Sequence, residues 1–146
     1  MTQKILVVDD SRPFRHVLMR FLQMEGYEVV LAEGGRDGLT KYSACQPDLV
    51  LMDAHMPQMD GFATIRELRE FSSVPVLMLS SGDPRDERSL GLKAGANEYL
   101  PKPFCATDLL VLMRTLMQKS AREAKWGGSG MLVSPAAGVP YANVGM

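Results

Sequence analysis

Five polar residues in the sequence have side chains suited to cation binding and group transfer: Asp9, Asp10, Asp53, Ser80 and Lys102. If the fold brings the three carboxylates together, each like-charged pair at about 4 Å costs on the order of 4 kcal/mol at an effective dielectric constant of about 20. A hard divalent cation relieves this repulsion, and Mg²⁺ suits a site with few carboxylates. Three carboxylates, one Mg²⁺ and one lysine sum to zero charge, which allows a phosphoryl group to approach.

Five short apolar runs are predicted to be strands, and four of these runs lead into the polar residues. The runs are residues 5–8, 29–31, 49–52, 76–79 and 99–100. Continuous rather than alternating apolar character is typical of parallel strands that are covered on both faces. A single Asp after a strand is often only a helix N-cap. Polar residues after four strands, however, favour a shared site.

Segments with helical periodicity lie between and after the strands. Ser11 is a candidate N-cap for the first helix, which ends at Gly26, and Asp60 is a candidate for the third. Asp83, followed by Pro84, is predicted to begin a fourth helix. The apolar stripes of the other helices are Phe14, Val17, Leu18, Phe21 and Leu22 in the first, Leu39 and Tyr42 in the second, Phe62, Ile65 and Leu68 in the third, and Leu109, Leu112, Met113 and Leu116 in the fifth.

This alternation of strands and helices predicts a doubly wound α/β domain with a five-stranded parallel sheet flanked by five helices. Right-handed crossovers over a parallel sheet are the stable arrangement for such an order. Ligands of these sheets bind outside the carboxyl ends of the strands, where the strand order reverses. All five polar residues are expected at that edge.

Several ordered segments resemble the receiver domain of bacterial two-component response regulators, including its chemotaxis-regulator-like members. They are residues 4–10 (KILVVDD), 51–61 (LMDAHMPQMDG), 74–80 (VPVLMLS), 95–96 (GA) and 102–104 (KPF). The match covers about residues 3 to 118 in the right order and spacing. It implies a flavodoxin-like sheet with strand order 2-1-3-4-5.

The resemblance also implies roles for the acidic residues. Asp53 would be the phosphoacceptor, a carboxylate nucleophile that forms an aspartyl phosphate. Asp10 directly, Asp9 through water, Asp53 and the backbone carbonyl of His55 would hold Mg²⁺. A side-chain ligand role for His55 is disfavoured, since a histidine on such a loop is more often solvated. The domain would catalyse its own phosphorylation and dephosphorylation and would not be an enzyme otherwise.

Four further residues are assigned positions or roles by the same resemblance. Lys102 would pair with the phosphoryl oxygens, and Pro103 stands at the family's cis-peptide position. The Ser80 hydroxyl would move to bond the phosphate. Tyr99 stands where the family has an aromatic side chain that swings inward, although a half-exposed strand tyrosine is an equal alternative. Phosphorylation would switch the surface formed by helix four, strand five and helix five.

Composition limits the partners and the compartment. Sixteen basic and 17 acidic residues give a net charge of −1, so no direct binding to nucleic acid or a membrane is expected. Cys45 and Cys105 lack paired spacing, which predicts neither a disulfide framework nor a cysteine metal site, and a cytoplasmic location fits best. The expected partners are a sensor histidine kinase or phosphotransfer protein, and one output partner or domain, with a homodimer as an alternative.

The carboxyl-terminal part of the chain differs in character from the rest. Residues 1–120 are predicted to form the receiver domain, and residues 121–146 a helix extension, a Gly-rich linker and an uncharged tail. The tail is the start of an absent output domain, a fused peptide or a natural extension.

Three other functions remain to be weighed against a phosphorylated receiver. A pseudo-receiver would keep the fold without phosphorylation, but Asp10, Asp53, Ser80 and Lys102 are intact. An aspartate-nucleophile phosphatase normally has a second Asp two residues after the first, where this chain has His55. A flavin carrier would need a phosphate loop after strand one, where Asp9 and Asp10 would repel a phosphate.

Overall fold

The apolar runs of the sequence form strands of one parallel sheet. A computed structural model describes residues 2–127 of the protein. The strands within them are β1 Lys4–Val8, β2 Glu28–Ala32, β3 Leu49–Asp53, β4 Val76–Ser80 and β5 Glu98–Pro101. They lie in the order β2-β1-β3-β4-β5, and every pair is parallel. The predicted doubly wound α/β fold is therefore confirmed.

Five helices of the described region connect and follow the strands. They are α1 Arg12–Met24, α2 Gly35–Cys45, α3 Gly61–Leu68, α4 Pro84–Ala94 and α5 Ala106–Gly127. Residues Met1–Leu116 form one compact unit of the chain. Between Met117 and Gly127 the chain is helical. The predictions for the linker and tail at residues 128–146 fall outside the described residues, and the domain boundary at residue 120 stays a prediction.

The sheet order places the predicted site where the chain changes direction. Strand β1 pairs with both β2 and β3, so the connections on its two sides run in opposite directions. A crevice opens at the carboxyl ends of β1 and β3 in such a sheet. Asp9 and Asp10 follow β1, and Asp53 is the last residue of β3. Backbone topology alone therefore brings the three carboxylates to one crevice.

The central strands are buried along their whole length. All five residues of β3 and all five of β4 are buried, as their continuous apolar sequences predicted. Burial of each large aliphatic side chain contributes roughly 1.5 to 3 kcal/mol relative to exposure. Because Asp53 and Ser80 end these two strands, the site is attached to strands that are buried along their whole length.

Side-chain caps begin three of the helices at the predicted residues. The Ser11 Oγ accepts a hydrogen bond from the Phe14 amide at 3.3 Å. Asp60 caps α3 through the Ala63 amide at 2.8 Å, and Asp83 caps α4 through the Arg85 amide at 2.9 Å. These bonds satisfy amides that have no partner inside the helix.

One member of the predicted apolar stripe of α1 does not face the core. Leu18 and Leu22 are buried, but Val17 is 68% exposed. Adjacent residues of a helix point about 100° apart. The buried face of α1 is narrow, and Val17 lies outside it, so its assignment to the stripe was wrong.

No helix within residues 2–127 has the length and apolar character needed to cross a membrane. Both cysteines, Cys45 and Cys105, are free.

The start of α3 packs closely on the end of β3, and this contact can be tested. A Cβ atom on Gly61 would lie 2.2 Å from the carbonyl oxygen of Asp53, whereas one on Gly34 would meet no atom within 4 Å. We expect Gly61→Ala to lower the free energy of unfolding by about 1 to 3 kcal/mol, because the backbone must shift to admit the methyl group. Gly34→Ala, the matched control, should change it by less than about 1 kcal/mol. Urea unfolding measures both, and equal effects would contradict the close contact.

Candidate functional site

Three carboxylates converge at the carboxyl edge of the sheet. One oxygen from each of Asp9, Asp10 and Asp53 lies within 4.8 Å of the others. Asp9 and Asp53 are buried, at 2% and 7% exposure, while Asp10 is exposed. The structure thus brings together the acidic residues that the sequence analysis selected.

Local hydrogen bonds hold Asp9 in this position. Its amide donates to the Ala32 carbonyl of β2 at 3.1 Å, and its Oδ1 accepts from the Ser11 amide at 2.8 Å. The guanidinium of Arg15 donates to the Asp9 carbonyl at 2.7 Å. Because these partners belong to β2 and the start of α1, the orientation of the carboxylate is set by the folded sheet.

Lys102 bridges two of the three carboxylates. Its Nζ lies 3.1 Å from Asp9 Oδ2 and 3.3 Å from Asp53 Oδ1. The same ammonium lies 4.1 Å from the centroid of the Phe14 ring, a favourable cation–π distance. Its backbone amide donates to the Ser80 carbonyl at 2.7 Å, and the Lys102–Pro103 peptide bond is cis, as the family resemblance implied. One positive charge therefore offsets part of the repulsion between the carboxylates.

The electrostatic environment shifts the titration of Asp53. Burial raises the pKa of its carboxyl, and the neighbouring charge of Asp9 raises it further, whereas Lys102 lowers it; the resulting pKa is about 6. Burial disfavours the charged form because the low-dielectric surroundings solvate it poorly. The ionised cluster therefore still carries excess negative charge beside Lys102.

The donor set of this cluster fits a hard divalent cation. Carboxylate oxygens are the ligands that Mg²⁺ prefers, and the described site offers no sulfur or imidazole ligand among its three clustered residues. The His55 ring contacts Glu87 rather than the three clustered carboxylates, and its Nε2 lies 2.5 Å from Glu87 Oε2. His55 is exposed, as expected from the sequence, and its ring also has a charged partner in Glu87.

Glu87 is the residue of this region that the sequence analysis missed. Its side chain is 13% exposed and its carboxylate accepts hydrogen bonds from Ser80 Oγ at 2.5 Å and from the Tyr99 hydroxyl at 3.2 Å. Acidic residues in a first helical turn are common because they interact favourably with the helix dipole. Nothing in the local sequence distinguishes Glu87 from such residues, since its partners come from three other parts of the chain.

Ser80 and Tyr99 are both buried. Ser80 is fully buried, and its Oγ also accepts a hydrogen bond from the Gly82 amide at 3.0 Å. Tyr99 is only 2% exposed, so the alternative of a half-exposed strand tyrosine was wrong. Burial raises the pKa of the Tyr99 hydroxyl, which keeps it protonated as a hydrogen-bond donor.

Comparison with known proteins was consistent with this geometry. The family model for the response regulator receiver domain matches residues 5–114. Response regulator MprA of Mycolicibacterium vanbaalenii is 41% identical over 133 residues, which cover 90% of this chain and 58% of that protein. MprA of Mycobacterium bovis is 42% identical over 124 residues, with coverage of 84% and 54%. The chain spans a little over half the length of these curated relatives.

Solved structures give the same result. The chemotaxis protein CheY4 of Vibrio cholerae has a TM-score of 0.73 at 33% identity, covering 80% of this chain and 99% of that chain. The BeF3-activated N-terminal receiver domain of Klebsiella pneumoniae RstA has a TM-score of 0.75 at 29% identity, covering 78% and 97%. The similarity thus extends over almost the whole of each compared domain.

The raised pKa of Asp53 leads to a pH dependence of stability in buffer without divalent cations. The pKa is about 6 in the folded protein against an ordinary value of 3.8, so the unfolded chain loses this proton first as the pH rises and is stabilised relative to the folded state. Between about pH 4 and about pH 6, the free energy of unfolding should fall by about 2 to 3 kcal/mol relative to that of Asp53→Asn. Urea titrations at several pH values measure this difference, and a constant difference would contradict the shift.

Proposed function

The chain belongs to the response regulator receiver family, and on this basis we propose that Asp53 is the phosphoacceptor of a histidine-to-aspartate signalling relay. The observation that carries the proposal is the position of Asp53, a buried carboxylate 3.3 Å from Lys102 and clustered with Asp9 and Asp10. Receiver domains are not a conventional enzyme family, and phosphorylation and dephosphorylation of its own aspartate is the chemistry proposed here.

The proposed reaction is transfer of a phosphoryl group to a carboxylate. An oxygen of Asp53 attacks the phosphorus of the donor, a phosphorus–oxygen bond forms, and the bond from phosphorus to the donor's nitrogen or oxygen breaks, with its electron pair leaving on the donor. A carboxylate carries no proton to remove, so no general base is required. The product is an aspartyl phosphate on Asp53.

Lys102 is placed to stabilise the charge that this reaction brings into the site. Its ammonium already contacts Asp53 at 3.3 Å and can transfer that hydrogen bond to a phosphoryl oxygen while keeping its bond to Asp9. Oriented positive charge of this kind is a major contribution to phosphoryl transfer.

The same carboxylates would hold Mg²⁺. The ligands proposed are Asp9, Asp10, Asp53 and the backbone carbonyl of His55. When bound, the ion supplies two positive charges that neutralise the phosphoryl oxygens. The close approach of three carboxylate oxygens supports this assignment.

The output surface is proposed to be the face formed by α4, β5 and α5. Ser80 would bond the phosphoryl group, and the change would reach this face through Tyr99 of β5. Leu90 of α4 and Val111 of α5 expose apolar side chains, at 53% and 54%, which supports a role in protein contact. The proposed partners are a sensor histidine kinase or phosphotransfer protein, and an output domain or partner.

A pseudo-receiver that works without phosphorylation finds no support in the site. Such a module would not need Asp10, Asp53 and Lys102 together, yet all three are present and converge. A cytoplasmic location, where the kinase domain of a sensor would act, completes the proposal.

Acetyl phosphate tests the phosphoacceptor directly. With Mg²⁺, we expect it to add one phosphoryl group that is stable in acid and labile in base, as an acyl phosphate should be. Intact-protein mass spectrometry and base treatment measure this product. Asp53→Ala should lose the labelling, while Asp108→Asn, which changes an exposed carboxylate of α5, should retain it. Equal labelling of Asp53→Ala would contradict the assignment.

Thermal unfolding tests the cation site. Mg²⁺ at 100 times its dissociation constant should stabilise the native state by about 2.7 kcal/mol, because it binds the folded carboxylate cluster and not the unfolded chain. Asp10→Asn should lose most of this gain, and its exposed position makes misfolding an inadequate explanation. If Asp10→Asn gained as much from Mg²⁺ as the parent protein, Asp10 would not be a ligand.

A further inference from the structure

The carboxylate of Glu87 collects three hydrogen bonds from three different parts of the fold. Ser80 ends β4, Tyr99 lies in β5, and His55 lies on the loop after β3. Their contacts to Glu87 measure 2.5, 3.2 and 2.5 Å. We call these four residues the Glu87 network.

The Ser80 hydroxyl has one proton, and it donates this proton in a hydrogen bond to Glu87. A serine hydroxyl can donate only one hydrogen bond at a time. The donation to Glu87 Oε1 therefore excludes a simultaneous donation to any other anion. Since Ser80 is fully buried, water does not compete for the proton in this position.

The interaction with Glu87 has the features of a strong one. The Glu87 side chain is only 13% exposed, and its carboxylate accepts hydrogen bonds from Ser80, His55 and Tyr99, the first two at 2.5 Å. An ionised carboxylate only accepts hydrogen bonds, and bonds to a charged acceptor are roughly twice as strong as neutral ones. Breaking the hydrogen bond from Ser80 to Glu87 therefore has a substantial free-energy cost.

Gly82 leaves the space that the Glu87 carboxylate occupies. A Cβ atom at this position would lie 2.3 to 2.4 Å from all three atoms of the carboxylate group. A side chain at residue 82 would therefore force the flexible end of Glu87 away from Ser80. This packing is independent of the hydrogen bonds and supports the same position for Glu87.

We propose that Glu87 is a positioning residue that holds the Ser80 hydroxyl away from the phosphorylation site, and we call this hydrogen bond between Ser80 and Glu87 the latch. The inference rests on the proposed function, because it treats a phosphoryl group on Asp53 as a competitor for the same proton. On phosphorylation, the hydrogen bond from Ser80 passes from Glu87 to a phosphoryl oxygen. No covalent bond changes in this step, and the proton stays on Ser80.

This exchange would also change the contacts of the output face. Glu87 lies in the first turn of α4 and would lose one of its three donors, while Tyr99 of β5 keeps its bond to the same carboxylate. The start of α4 and the middle of β5 therefore respond together. Glu87 would thus oppose activation, and the loss of its bond from Ser80 would couple phosphorylation to the start of α4.

Beryllofluoride with Mg²⁺, a mimic of the phosphoryl group on Asp53, provides the probe. Glu87→Gln keeps the shape of the side chain but weakens its acceptor, so the variant should bind beryllofluoride about 5- to 10-fold more tightly than the parent protein. Titration followed by amide NMR shifts measures the affinity. Asp86→Asn is the matched control, because it removes the same charge from an exposed position in the same helical turn and should leave the affinity unchanged within about 2-fold.

A double substitution separates the latch from a general structural effect. In a Ser80→Ala background the hydroxyl is absent, so adding Glu87→Gln should no longer tighten binding. Tighter binding that persists without the hydroxyl would overturn the proposal. The proposal would equally be wrong if Glu87→Gln bound no more tightly than the parent, or if Asp86→Asn had the same effect.

A replacement variant and the binding of beryllofluoride by the parent protein distinguish the remaining outcomes. If Glu87→Gln fails to fold in a thermal melt, Gly82→Ala takes its place, since the added methyl group displaces the carboxylate and should tighten binding in the same way. If the parent protein shows no binding of beryllofluoride that depends on Asp53, the proposed function fails and the latch with it. Normal binding by the parent without tightening in the variants overturns the latch alone.

Discussion

Mutual repulsion among three carboxylates at the edge of the sheet is the constraint on which the rest of the structure depends. Asp9 and Asp53 are both buried, so their charges cannot be screened by water as surface charges are. Lys102 lies between them and meets both at 3.1 and 3.3 Å. The position of Lys102 depends in turn on β5, which precedes the lysine in the chain and lies next to β4 on the side opposite β3. The site is therefore assembled from the carboxyl ends of three strands, β1, β3 and β5, of the same sheet.

Backbone hydrogen bonds next to Asp53 keep its carboxylate close to the carboxylates that repel it. The Ala54 amide donates to the Leu79 carbonyl at 2.9 Å, and the Gly61 amide donates to the Ala54 carbonyl at 2.8 Å. The residue after Asp53 is thus tied both to β4 and to the start of α3. Since β3 and β4 are buried throughout, the cost of holding Asp53 in place is offset by the packing of the apolar residues before it. Stability in the core and reactivity at the edge are properties of the same strands.

Sequence patterns predicted the features that depend on short stretches of chain. The continuous apolar runs predicted the strands, and the Ser11, Asp60 and Asp83 caps were identified because each lies just before its helix. The convergence of Asp9, Asp10 and Asp53 followed from the topology of a parallel sheet. What the sequence could not reveal is which surface residues meet across elements. The pairing of His55 with Glu87 spans 32 residues, and the burial of Tyr99 depends on how α4 covers β5. The exposure of Val17 likewise depends on how α1 is rotated against the sheet.

The surroundings of Lys102 also bear on which atom of an acyl phosphate would react at the proposed site. Such a molecule has two electrophilic centres, the phosphorus and the carbonyl carbon, and a free amine attacks the carbon to give an amide. The nitrogen of Lys102 is an ammonium that donates to two carboxylates and lies against the face of Phe14, so it has no lone pair to offer. In the proposed reaction Asp53 would be the nucleophile at this edge of the sheet, and its attack on phosphorus would give the phosphorylated product. The arrangement that balances charge in the site would thereby also protect its own lysine from acylation by an acyl phosphate.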